Sequence, residues 1–408
     1  METVFGISRR LIRNLSRPYR RPLRGRISGR RDLLTGSRGI GKSTWMAQEI
    51  LRQYSDYEQS TRCLYLPADH MSVSRHSLYE VVEAFAEQGG QLICIDEVHR
   101  CEGWSRDLKS IADTYPELQI IATGSSLLHL QKGTHDLSRR FVLHRMDGLS
   151  FREFLQLHHQ LAFDALPLDT LIAGHETLAS EIDAQIAATG ENVLRLFQDY
   201  LQFGYYPYSL DIRDGDSYMR TLQQSAMTSL ESDLPAVYPS LTGATVKRIR
   251  RLLAAVSETV PFSPDLAKLR RLLNIADDRT LKDYLSYLED GHLIYNLPRE
   301  GSPIAAMGKP DRIYVGDPNL AYALSYPQKP DTGALREIFF LRAFPRDTQI
   351  TAAKHADFLV NGEHTFEVGG RNKTTKQLKG RTQSFIVFDG ARVGTGKRIP
   401  LWLFGFLK

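Results

Sequence analysis

Apolar and polar positions follow two regimes along this chain. Up to about residue 148, short apolar runs at 32–35, 63–69, 91–95, 118–122 and 141–143 are separated by stretches with helical spacing. The run at 91–95 shows no period-two alternation, which marks a strand covered on both faces. Strands alternating with helices predict an α/β domain built on a parallel sheet over 31–148. From 151 to about 230 the spacing is helical, less regular over 164–191 and interrupted at 203–207. This predicts a helical lid or linker over 149–235. Further on, helices at 246–256 and 264–273 precede a turn at 274–276. Asp277 or Asp278 then caps a third helix that buries Leu281, Leu285 and Leu288 at i, i+4 and i+7. With a hairpin from 293–297 and 312–315, this reads as a winged helix over 236–330. A last domain, 331–408, opens with a helix near 335–340 and continues into strands at 356–360 and 365–369.

The loop Gly36-Ser37-Arg38-Gly39-Ile40-Gly41-Lys42-Ser43 fits G-x-x-x-x-G-K-[ST] at every fixed position. It lies between a candidate strand and a helix that starts at Thr44. Its glycines let amide N–H groups point at phosphates, and the helix N-terminus adds dipole to the anion site. Lys42 supplies charge to the β- and γ-phosphates, and the Ser43 hydroxyl is placed to ligate Mg²⁺. About fifty residues on, the 91–95 strand ends in Asp96-Glu97. Asp96 would hold the metal through water, and Glu97 would polarise the attacking water. The 118–122 strand ends in Thr123-Gly124-Ser125-Ser126; hydroxyls at Thr123 and Ser125 would sit near a γ-phosphate and report it. No N-K-x-D motif reads guanine, so ATP with Mg²⁺ is expected.

At 408 residues, the chain is long enough for several cores. Its 42% hydrophobic and 24% charged content is ordinary for a globular protein. No apolar run approaches the ~20 residues that span a bilayer. The N-terminus has no apolar signal segment. Cys63, Cys94 and Cys101 lack metal spacing and form no disulfide framework. A cytoplasmic protein without a membrane partner is expected. The net charge of +5 is unevenly spread, with ten arginines and no acid between Arg9 and Arg31. That basic N-terminal arm, 1–30, would attract a DNA backbone; the adenine pocket or an acidic protein partner are the other readings. The third helix of the winged-helix region turns Arg279, Thr280, Lys282, Asp283 and Ser286 outward. It suits a major groove, but Asp283, Glu289 and Asp290 would repel phosphates, so a purely structural role stays open.

The runs Ile95-Asp96-Glu97-Val98-His99, Trp104, Leu108-Lys109, Tyr115-Pro116 and Thr123-Gly124-Ser125-Ser126 resemble a family of prokaryotic AAA+ type ATPases. Asp136-Leu137-Ser138-Arg139-Arg140 and Leu149-Ser150-Phe151-Arg152-Glu153-Phe154 extend the resemblance. So do Thr280-Leu281-Lys282, Tyr284-Leu285, Lys309-Pro310 and Asp317-Pro318-Asn319-Leu320. The resemblance implies a strand order in which another strand separates the phosphate loop from the acidic pair. It implies that Arg139 or Arg140, before the last core strand, completes the catalytic site as an arginine finger, in the same molecule or across a homo-oligomer boundary. It also argues against reading the arginines as an organelle presequence.

Asp357 and Glu367 lie at the ends or edges of paired strands, with Glu337 on the preceding helix. This resembles the restriction-endonuclease-like PD-(D/E)XK fold, in which an Asp and an E-x-K triplet bind a metal and activate water. The expected lysine position is Gly369, so the domain reads as degenerate unless Lys373 or Lys376 reaches back. The sequence therefore predicts an ATPase coupled to DNA. A nucleotide-dependent switch on a protein partner and an ATP-gated nuclease are the alternatives.

Overall fold

The computed structural model describes residues 1–17, 30–70, 76–124, 137, 139–238, 240–262, 266–301, 310–373 and 383–408. The chain divides into two compact units, Met1–Gly148 and Leu149–Lys408.

In the first unit, β1 (Arg31–Thr35), β2 (Cys63–Pro67), β3 (Leu92–Asp96), β4 (Gln119–Gly124) and β5 (Val142–Arg145) form one sheet in the order β2-β3-β4-β1-β5. Every pairing is parallel. β3 is buried along its whole length, as its unbroken apolar run requires. β4 separates the strand before the phosphate loop from the strand ending in the acidic pair, so the expected order is present. Helices α2 (Lys42–Gln53), α3 (Leu78–Glu87) and α4 (Trp104–Thr114) cover the sheet. Ser77 and Glu80 close a capping box at the start of α3.

The N-terminal segment departs from the expected basic arm. Glu2–Leu15 form a helix, α1, that buries Phe5, Ser8 and Ile12. β2 is an edge strand, and its Tyr65 N–H would otherwise lack an acceptor; Ser8 Oγ accepts it at 2.8 Å. Phe5 meets Phe85 of α3 with ring centroids 6.1 Å apart. One arginine is drawn into this packing and another into a surface ion pair. Arg9 lies over the Phe5 ring, and Arg13 pairs with Glu58 at 2.7 Å. Arg20, Arg21, Arg24 and Arg26 lie outside the described residues.

In the second unit, α5 (Phe151–His159) is followed by α6 (Leu168–Ala187), α7 (Val193–Asp199) and α8 (Gly215–Thr228). The stretch 164–191, expected to be less regular, is largely the twenty-residue α6. Two π-helical turns, Tyr200–Gly204 and Ser229–Asp233, extend α7 and α8. The aromatic run near 203–207 packs inside this unit. Phe151 contacts Phe197, Tyr200 and the C-terminal Phe406. Phe151 is thus tied to the C-terminal 3-10 turn, Leu401–Phe406, through an aromatic cluster.

α9 (Gly243–Glu258), α10 (Leu266–Leu273) and α11 (Asp278–Asp290) lead into the antiparallel hairpin of β6 (Ile294–Leu297) and β7 (Arg312–Val315). A bridge from Phe262 to Ile313 ties the α9–α10 connection to the hairpin. Asp277 caps α11 by accepting from Thr280 N–H at 2.8 Å. α12 (Pro318–Ser325) and α13 (Thr332–Ala343) follow. The last sheet runs β12-β11-β10-β9-β8, built from β8 (Ile350–Ala352), β9 (Phe358–Val360), β10 (His364–Gly369), β11 (Ser384–Phe388) and β12 (Arg398–Pro400). β8, β9 and β10 are antiparallel, whereas β10, β11 and β12 are parallel.

Asn319, fully buried at the start of α12, holds the first π-helical turn in place. Its amide nitrogen donates to the carbonyls of Tyr200 and Leu201 at 3.0 and 2.8 Å. Its oxygen accepts from Tyr205 N–H and the Tyr218 hydroxyl at 2.9 and 2.6 Å. A π-turn displaces backbone groups from their usual helical partners, and this one side chain satisfies several of them. Among the described residues, no helix is long and apolar enough to cross a membrane.

Candidate nucleotide site and a second carboxylate site

Gly36, Gly39 and Gly41 all have positive φ. At Gly36 a Cβ would lie 2.3 Å from the Met146 carbonyl oxygen, so only glycine lets the loop leave β1. Lys42 begins α2 and is buried, with Nζ donating to the carbonyls of Gly36 and Ser37 at 2.9 and 2.8 Å. Its charge is held inside the curve of the loop, at a helix N-terminus where anions are favoured. Ser37, Arg38, Ile40, Ser43 and Thr44 complete the loop and the first turn of α2.

Asp96 closes β3 and is largely buried. Thr123, at the end of neighbouring β4, donates to Asp96 Oδ1 at 2.6 Å. The same Thr123 hydroxyl accepts from Glu97 N–H at 3.0 Å. Its proton is committed to Asp96, which places Thr123 as a fastener of the acidic pair rather than as a free reporter of phosphate. Ser125 lies outside the described residues. Glu97 adopts a left-handed backbone, φ 54°, an uncommon conformation for a non-glycine residue that clusters at functional sites. Burial pushes its carboxyl above the usual range, while the charges of Lys42 and Arg38 pull it back. Arg100 Nε lies 3.7 Å from the same carboxylate, so Glu97 is a partly buried acid among several cations.

Sequence reasoning missed Tyr65. From β2, its hydroxyl donates to Asp96 Oδ2 at 2.5 Å and lies near the Ser43 side chain. An aromatic residue in an apolar strand is ordinary, so no local signal distinguished it.

The two arginines occupy the other end of the sheet. β5 runs parallel to β1, with Val142 beside Asp32 and Arg145 beside Thr35. Residues preceding Val142 therefore lie at the strand starts, whereas the loop, Asp96 and Thr123 lie at the strand ends. A five-residue strand separates these ends by roughly 13 Å. Arg140 is further held by Asp113, with Nε and Nη2 at 2.7 and 2.8 Å. Arg139 is exposed. Neither arginine is positioned to reach a nucleotide in its own loop.

A second group of ionisable side chains forms in the last sheet. Asp357 and Glu367 line one pocket of about 470 Å³, together with Arg312, Ala353, Lys354 and Ala356. Asp357 Oδ2 accepts from Val368 N–H at 2.8 Å. Arg312, at the start of β7, lies 3.4 Å from Asp357 and 3.8 Å from Glu337. Glu337 accepts from the Tyr314 hydroxyl at 2.7 Å. Burial, and then the charge of Asp357, push the Glu337 carboxyl up to about 7. Lys373 Nζ sits 2.7 Å from Glu367 Oε1, and a Cβ at Gly369 would meet the Lys373 side chain at 2.7 Å. The lysine stem thus passes over the glycine that stands where the resemblance expects lysine. Lys376 lies outside the described residues. Burial lowers Lys373, but the Glu367 hydrogen bond and nearby carboxylates outweigh it, so its ammonium is favoured. Glu367 is raised by burial, against the pull of Lys373. Among the described residues, no cluster of three or more His, Cys, Asp or Glu side chains is arranged to hold a metal. Any ion at this site would rest on Asp357 and Glu367, with main chain or solvent completing its shell.

Residues 30–155 match a family model described as an AAA domain, and residues 194–331 match a domain of unknown function, DUF8612. No curated protein matches the sequence. Among solved structures, a Walker-type ATPase of Pyrococcus abyssi is similar at 16% identity and a TM-score of 0.39, over 72% of this chain and 90% of that one. PCH-2 of C. elegans is similar at 16% identity and a TM-score of 0.22, over 63% of this chain and 61% of that one.

Proposed function

We propose that this chain is an ATPase that couples ATP hydrolysis to DNA, through a winged helix at 236–330 and a restriction-endonuclease-like domain at 331–408. The observation that carries this reading is Lys373, 2.7 Å from Glu367 across Gly369. The side chain missing from its usual position is supplied four residues later. With it, Asp357, Glu367 and Lys373 would supply the set that a metal-dependent phosphodiesterase uses.

In the ATPase site, the loop amides and Lys42 bind the phosphates. The Ser43 hydroxyl and the Asp96 carboxylate fit Mg²⁺, since both are hard oxygen ligands. Each Asp96 oxygen accepts one O–H, from Thr123 or Tyr65, and so keeps a lone pair. The metal would neutralise charge on the β- and γ-phosphates. Glu97 orients the attacking water and takes its proton, with its N–H held by Thr123. Arg139, exposed and remote from its own loop, acts on a neighbouring copy's nucleotide. In the last domain, Asp357 and Glu367 would hold a divalent ion that polarises the scissile phosphate, and Lys373 orients water.

The test is ATP hydrolysis by wild type and Glu97→Gln, with and without double-stranded DNA over a salt series, followed by Mn²⁺-dependent cleavage. DNA stimulation that fades with salt is expected, with cleavage lost in Asp357→Asn and Lys373→Ala. Cleavage that survives both substitutions overturns the nuclease assignment. Hydrolysis indifferent to DNA moves the reading to a protein partner. The Arg270–Asp278 ion pair at 2.8 Å favours that second reading, because it withdraws a cation from the helix–turn–helix.

A further inference from the structure

Tyr65 gathers contacts that its strand does not require. β2 needs an apolar side chain there, and phenylalanine would fill the volume. The hydroxyl adds a buried polar atom in a core position, which costs stability unless it is bonded. It is bonded to the carboxylate assigned above to the metal. It donates to Asp96 Oδ2 at 2.5 Å. An aspartate terminal torsion is soft and broadly two-fold, so an unsupported carboxylate would swing. Thr123 from β4 holds Oδ1 and Tyr65 from β2 holds Oδ2. The two strands flank β3, so the carboxylate is clamped from both sides. The Tyr65 backbone is fixed in turn by Ser8 of α1.

We propose that Tyr65 is a positioning residue of the nucleotide site, holding Asp96 in the orientation that receives the metal. This rests on the assignment of Mg²⁺ to Ser43 and Asp96. Residues that orient metal ligands commonly contribute ten- to a hundred-fold to metal affinity. The hydroxyl touches neither the loop amides nor Lys42, so metal-free nucleotide binding does not depend on it.

The experiment titrates Mg²⁺ into the full chain with a fluorescent ATP analogue, starting from EDTA, for wild type, Tyr65→Phe and Asp96→Asn. In Tyr65→Phe, metal-free affinity is expected within about twofold of wild type. The Mg²⁺ concentration giving half of the tightening is expected to rise roughly tenfold. Excess Mg²⁺ is expected to restore most of kcat, which a general loss of folding would not allow. An unchanged Mg²⁺ midpoint in Tyr65→Phe overturns the proposal. So does loss of metal-free binding, which would make the hydroxyl a folding element. If Asp96→Asn also leaves the Mg²⁺ effect intact, the metal assignment itself fails, a result distinguishable from failure of Tyr65 alone.

Discussion

Thr123→Val is the most informative single substitution in the nucleotide site. Valine keeps the shape of a side chain that is fully buried, so packing changes little. It removes the donor to Asp96 at 2.6 Å and the acceptor for Glu97 N–H at 3.0 Å. A hydrogen bond to a charged group contributes about 1.5–3 kcal/mol and a neutral one about 0.5–1.5 kcal/mol. If both bonds serve the geometry of hydrolysis, about 3 kcal/mol of barrier returns, roughly a 150-fold fall in kcat. Steady-state hydrolysis paired with equilibrium binding of ATP and ADP reads this out. As a fastener, Thr123 affects kcat while both affinities stay within about twofold, and Thr123→Ser restores the rate. As a γ-phosphate reporter, it would instead set the ratio of ATP to ADP affinity. A kcat within threefold of wild type would refute the reasoning.

Asn319→Ala strands two carbonyls, an amide and a phenol, each worth about 1–3 kcal/mol when buried and unpaired. With partial rescue by water, the unfolding transition of the second unit is expected to lose about 4 kcal/mol in urea; a loss below 1 kcal/mol would contradict the network. Arg140→Ala breaks a half-exposed pair with Asp113 and should cost under about 1 kcal/mol, with hydrolysis unchanged. Arg139→Ala should depress hydrolysis, and mixing it with Lys42→Ala should recover activity, because one copy supplies the loop and the other the arginine; no recovery in co-assembled material removes the assignment across subunits. Glu337 binds its proton more tightly when folded. The stability this contributes is full below about pH 4.5 and is lost as pH rises through about 7. Its upper bound is about 3 kcal/mol, and Glu337→Gln should flatten the unfolding free energy of the second unit over that window.

The parts legible in sequence were those whose signal is local. The loop, the apolar 91–95 run and Asp96-Glu97 are each defined by neighbours in the chain, whereas the sheet order came from the family resemblance. α6 was harder. Its buried positions, Leu171, His175, Ala179, Ile182 and Ile186, keep helical spacing but include a histidine and a small residue, so the apolar stripe is faint. α1 was obscured by its arginines, because Phe5, Ser8 and Ile12 carry the packing while charge dominates the composition. Tyr65 and Arg312 gain their roles only through partners 31 and 45 residues away, a distance at which sequence patterns are silent. The position of Arg139 and Arg140 became readable only once the parallel register of β5 was known.

The crossing of Lys373 over Gly369 constrains how this site can change by mutation. A side chain at 369 and the present path of Lys373 claim the same space. Installing lysine at 369 alone would push Lys373 off its present path to Glu367. Removing Lys373 alone would leave Glu367 buried without its partner. Each step is harmful by itself, and only the exchange of both restores a single well-placed ammonium. The two positions are thus a case of sign epistasis, in which a lysine at one has value only while the other is empty.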